Sequence, residues 1–175
     1  MSIVVLLRGM NVGGHRTFRP TDLARQLRRF DVENIGAAGT FIVRGAPSRL
    51  MLRSELGRRL PAETEIMLCD ARDIVSLVNG DPFPRLPADR ALVPFVSVMS
   101  RRASITRRLP IHLPTRTDWG VKVIGVRGRF VYGIYRRQMK AIGQLGQLDR
   151  LFGVPLTTRS WTTIQGIARR LETGG

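Results

Sequence analysis

The chain has 175 residues, 43% of them apolar, enough to bury one core or two small ones along a single chain. Lys and Arg number 29 against 13 Asp and Glu, leaving +16, and the lone Cys69 excludes an intramolecular disulfide framework. The first apolar stretch lacks a basic leader and ends at Arg8, and no run has the length of a membrane span; a cytoplasmic chain with no membrane partner is expected.

Residues 3–8 form a continuous apolar run, the pattern of a strand in the middle of a sheet. After Pro20, Leu23, Leu27 and Phe30 repeat at helical spacing. Residues 33–37 and 40–44 read as short strands around Ala38-Gly39, and Leu52, Leu56 and Leu60 mark a second helix that Pro61 stops. Residues 64–69 then give a fourth strand. This order is that of a ferredoxin-like βαββαβ plait, whose topology right-handed crossovers restrict. In such a plait the loops 9–19, 38–40 and 61–63 share one end of the sheet. Asp70 is placed to cap a third helix with the stripe Ile74, Leu77 and Val78.

Residues 81–90 carry three prolines and read as a linker between a subdomain at 1–80 and another at 91–175. Beyond it come a strand at 92–99, a basic and Pro-punctuated stretch at 100–120, and a hairpin of 121–126 and 129–135 turning at Arg127-Gly128. A helix at 138–152, a short strand at 156–158 and a helix from Trp161 complete it. The expected fold class is α+β, a ferredoxin-like plait followed by a degenerate α/β plait-like subdomain.

Two segments near the ends are distinctive. Leu7-Arg8-Gly9-Met10-Asn11-Val12-Gly13-Gly14 follows the first strand, and Gly153-Val154-Pro155-Leu156-Thr157-Thr158-Arg159-Ser160-Trp161 leads into the last helix. Together they resemble the uncharacterised domain-of-unknown-function family 1697. The resemblance implies a fold and no reaction. The chain departs from the family's pattern at Ala38 and Thr40, where members carry Ser and Asn, and at Ala141 and Ile142, which occupy Ser and Lys positions.

Gly9 and Gly14 imitate the spacing of a phosphate-cradling loop, but His15 and Arg16 stand where that motif needs Lys and Ser or Thr. The favoured role of these glycines is to let the loop fold back. A small phosphorylated or carboxylated ligand held by Arg8, Asn11, Gly13, Gly14, Thr158, Arg159 and Trp161, for an enzyme or a sensor, is the second reading. Ser160 is the expected N-cap of the last helix. His15, His112 and Cys69 have no metal-ligand spacing, and no catalytic set or cofactor fingerprint is present, so no catalytic residue, metal or cofactor is expected.

Residues 91–175 hold 15 basic side chains and three acidic ones. Arg101, Arg102, Arg107, Arg108, Arg127, Arg129, Arg136, Arg137 and Lys140 are the candidate nucleic-acid contacts, since guanidinium forks bind phosphate. Alternation places Phe130, Tyr132 and Ile134 on one face, expected in the core, and Arg127, Arg129 and Val131 on the other. The leading expectation is a non-enzymatic binder of nucleic acid or another polyanion. A protein-interaction module is the third reading, and oligomeric state is left open.

Overall fold

A computed structural model describes residues 2–9, 19–45 and 48–174. Mixed α and β structure divides into two units, Met1–Ser76 with Ile167–Gly175, and Leu77–Gly166.

In the first unit, β1 (Ile3–Arg8) leads toward α1 (Pro20–Gln26), with Pro20 in its first turn. A single 3-10 turn, Arg28–Phe30, then feeds β2 (Val32–Asn34) and β3 (Thr40–Val43). Next come α2 (Arg49–Gly57), β4 (Glu65–Asp70) and α3 (Ala71–Asn79). The sheet runs β2-β3-β1-β4 and is antiparallel throughout. Because β1 is central, both of its faces are covered, and Ile3 to Leu6 are wholly buried. Ile3, Val5, Leu7, Leu27, Phe41, Leu52 and Leu56 meet in one core cluster.

Gly9, Gly39 and Glu63, described residues of the loops that the strand order predicts to be neighbours, lie toward one end of this sheet. Gly9 sits at φ 81°, where a Cβ would crowd the Glu63 carbonyl, and Gly39, at φ 68°, backs onto Leu7. The Gly39 carbonyl accepts from Leu7 N at 2.8 Å. Both positions need the left-handed backbone that glycine adopts without strain. Ser48 caps α2 by accepting from Met51 N at 3.1 Å. Asp70 stands immediately before α3, where it was expected to cap. It ends β4, and its carboxylate takes a 2.9 Å bond from Arg49.

In the second unit, β5 (Leu92–Met99), β6 (Ile111–Pro114), β7 (Trp119–Arg127) and β8 (Phe130–Arg136) precede α4 (Met139–Gly146) and α5 (Leu148–Phe152). β9 (Leu156–Ser160) follows and leads straight into α6 (Trp161–Thr173). The sheet runs β6-β7-β8-β5-β9, again antiparallel. With β6 set aside, its second, third, first and fourth strands lie side by side in the order seen in the first unit.

Three features differ from expectation. The basic stretch contains a strand, β6, whose alternation of buried Ile111 and Leu113 with less buried neighbours spans only four residues. The helix expected over 138–152 is two helices, broken where Gly146 weakens helical propensity. The last residues, expected in the second subdomain, belong to the first unit. There Arg170 pairs with Glu33 at 3.0 Å, and Arg44 donates to the Arg170 carbonyl at 3.4 Å.

A bulge between Val123 and Gly125 lets β7 follow β8. A Cβ at Gly125 would fall on the Tyr132 ring, and one at Gly133 on the Lys122 carbonyl. Glycine at both places is therefore a packing requirement.

Candidate nucleic-acid interface

Cross-strand partners share a sheet face, so the register sorts the side chains of the second unit. Val121, Val123, Val131, Phe95, Met99 and Leu156 lie on one face and meet Ala141, Leu148 and Phe152 in a core cluster. His112 lies opposite Lys122, Lys122 opposite Ile134, and Arg127 opposite Phe130. Those residues, with Tyr132 and Arg136 at alternate positions of β8, occupy the other face. This corrects two expectations. Arg127 shares the face of Phe130, because a turn separates them and parity does not carry across it. Moreover, the core cluster is built on Val131 and packs Tyr135; Tyr132 and Ile134 stay half-buried on the opposite face.

The aromatic rings on that face are already engaged. Phe130 is buried, and Tyr132 meets Phe83 edge-on with centroids 5.9 Å apart. Phe83 in turn stands 5.2 Å from Trp161, which is buried. The cations are more open. Arg101, Arg102, Arg107, Arg108, Arg127, Arg137 and Lys140 are exposed. Arg102 reaches the β7–β8 turn, its Nη2 4.0 Å from where a Cβ on Gly128 would lie. Arg129 and Arg136 are half-buried and hold backbone: Arg129 Nε donates to the Met99 carbonyl at 2.8 Å, and Arg136 Nε to the Trp119 carbonyl at 2.8 Å.

Lys122, one of the basic side chains of residues 91–175, joins the set, and so do Trp119 and His112, which the sequence did not mark as nucleic-acid contacts. The Arg136 guanidinium lies 4.4 Å from the Trp119 ring centroid, and His112 approaches the same ring at 6.1 Å. Burial pushes the His112 imidazole below its ordinary pKa, and the charges of Lys122 and Arg116 push it the same way. The register sets Lys122 directly across from His112, which puts a cation beside the imidazole on this sheet edge. The signal lay in the strand pairing, which brings His112 beside Lys122.

The second unit holds 15 basic side chains and four acidic ones, and the first unit 14 and nine. Two of those four acids serve the backbone: Asp89 accepts from Ala91 N at 2.8 Å and Asp149 from Leu156 N at 3.1 Å. Four carboxylates cannot neutralise 15 cations one to one.

The small-ligand candidates fare differently. Asn11, Gly13 and Gly14 lie outside the described residues. Arg8 closes β1 opposite Glu65 in the first unit. In the second, the Thr158 hydroxyl meets Ser97 Oγ at 2.6 Å, inside the sheet. Arg159 is buried, and its Nη1 donates to Thr157 Oγ1 and the Thr158 carbonyl, each at 2.9 Å. Burial pushes this guanidinium down to about 10, so it stays charged at neutral pH. Ser160 is the N-cap it was expected to be, its Oγ accepting from Thr163 N at 3.2 Å. Among the described residues, no group of three His, Cys, Asp or Glu side chains is arranged to hold a metal ion. None of their helices is long and apolar enough to cross a membrane.

No family model and no curated protein matches the chain. In fold it is similar to the solved structure of a conserved bacterial protein from Streptococcus pneumoniae, with a TM-score of 0.55 at 16% identity over 97% of this chain and 98% of that one. At that identity the likeness speaks for the fold alone.

Proposed function

We propose that the protein is a non-enzymatic binder of nucleic acid, contacted through its phosphates by the second unit. The observation behind this reading is the alignment of His112, Lys122, Arg127 and Arg136 on one sheet face of a unit that is short of carboxylates. Because Phe130 and Tyr132 are packed against protein, base stacking on them is not part of the reading. Affinity comes from counterion release and sequence preference is weak. The strand order β2-β3-β1-β4 supports reading the first unit as a ferredoxin-like plait, and the repeated order supports a degenerate second one. Membership of the uncharacterised family named above, and a cytoplasmic location, go with this proposal.

The test is binding of random-sequence single-stranded RNA and duplex DNA at rising salt. The expected result is a log–log slope several units steep. No binding at low salt, or a flat slope, removes the reading.

A further inference from the structure

The first unit carries a feature that the polyanion reading does not use. A pocket of about 640 Å³ opens between the 3-10 turn and α2, lined by Arg29, Phe30, Leu50, Met51, Glu55 and Arg58 together with two serines. Its volume is that of a small-molecule site. Its polar end is one carboxylate shared by three guanidiniums. Glu55, buried, takes Arg58 on Oε1 at 3.1 Å and both Arg59 and Arg29 on Oε2, at 2.7 and 2.8 Å. Burial raises the pKa of this carboxyl, but the Arg59 hydrogen bond and the charges of Arg29, Arg59 and Arg58 outweigh it, and the net shift is downward. The carboxylate stays ionised, and the cluster keeps two positive charges in excess. Arg29 and Arg58 remain 59% and 71% exposed, and a guanidinium has five N–H donors, so both can bind a second anion.

The other end is apolar. Leu50 is 79% exposed and Met51 46%, although both sit on a helix whose buried stripe is Leu52 and Leu56. Helical spacing aligns Leu50, Ser54 and Arg58 in one row, running from the apolar end to the charged end. The Arg29 guanidinium lies 4.6 Å over the Phe30 ring, which holds the cation at the edge of the apolar wall. Excess positive charge at one end of a pocket and exposed aliphatic side chains at the other complement a ligand of matching polarity.

We propose that this pocket binds an aliphatic carboxylate, its head group on Arg29 and Arg58 and its chain along Leu50 and Met51. The probes are hexanoate, octanoate, decanoate and decanol, titrated into the isotopically labelled full chain while backbone amide shifts are followed. Decanoate is expected to shift amides of 48–58 and to bind at least about tenfold more tightly than decanol, the difference an ion-paired head group supplies. Each added methylene is expected to tighten binding about twofold to fourfold, the upper figure being complete burial of that group. Arg29→Ala with Arg58→Ala should abolish the preference for the acid, and Leu50→Ser should flatten the chain-length series. Arg59 still pairs with Glu55 in the double variant and Leu50 is exposed, and an unchanged amide spectrum away from 28–30 and 48–60 is the check that folding is retained. Equal binding of decanol and decanoate, no dependence on chain length, shifts confined to other residues, or no binding at all would each overturn the proposal. Charge reversal at Arg101, Arg102 and Arg127 should leave decanoate binding unchanged, which separates this site from the polyanion surface.

Discussion

The two units arrange four strands in the same order yet treat their charges differently. In the first, carboxylates are placed where arginines reach them: Glu33 takes Arg44 and Arg170, Glu55 takes Arg29, Arg58 and Arg59, and Asp70 takes Arg49. In the second, the acids are few, and arginines such as Arg129 and Arg136 turn to backbone carbonyls and an aromatic ring. The difference teaches that net charge alone does not make a polyanion surface. A modest excess organised into ion pairs, as around Glu33, serves the fold, whereas a unit with far more cations than carboxylates carries a net positive charge that attracts phosphate.

The sharpest way to break this comparison is to ask whether the units are separate energetically. Phe41→Ala in the first and Phe95→Ala in the second, both fully buried, should each cost about 3–5 kcal/mol. Amide exchange should show lost protection concentrated in the unit that carries the change; equal loss in both would mean one cooperative structure. Next in size is charge reversal. Glu at Arg101, Arg102 and Arg127 should weaken oligonucleotide binding at least about tenfold at low salt, while Glu at Arg28 and Arg72, exposed in the first unit, should change it less than about twofold. Similar losses from both sets would spread the interaction over the whole chain.

Smaller effects sharpen the contrast. Ser97→Ala leaves Thr158 without its 2.6 Å partner and should cost about 1–2 kcal/mol by denaturant unfolding. The pH dependence should differ between units in its window. Glu55, held below its ordinary 4.5, contributes stability that is present above that pH and lost as pH falls through its lower folded value. His112, held below 6.5, makes the unfolded chain the better proton acceptor, so its unit begins to lose stability as pH falls below 6.5. Melting curves of Glu55→Gln and His112→Gln should each flatten the decline in its own window. A change in the other window would contradict the assignment.

Legibility from sequence was uneven in a physically intelligible way. Residues 3–8 announced a central strand because burial on both faces leaves no polar position, and Ser160 announced a helix start because capping needs only a neighbouring hydroxyl. The crowding of Gly9 against Glu63 and of Gly39 against Leu7 followed once four strands were ordered. The Glu55 cluster was partly readable, since Arg58 and Arg59 stand three and four residues on in a helix, whereas Arg29 comes from another element. The Trp119 stack was not readable, because it depends on Arg136 arriving from a neighbouring strand.

By itself, the sequence determined the kinds and rough places of the elements, the positive excess and the capping of the last helix, because spacing and composition are local properties. Only tertiary structure decided that β6 joins the second sheet, that Arg127 shares the face of Phe130, that the final residues return to Glu33, and which arginines meet a carboxylate. Those outcomes depend on strand register and on contacts between residues far apart in the chain. Alternation within one strand cannot specify them across a turn or a bulge.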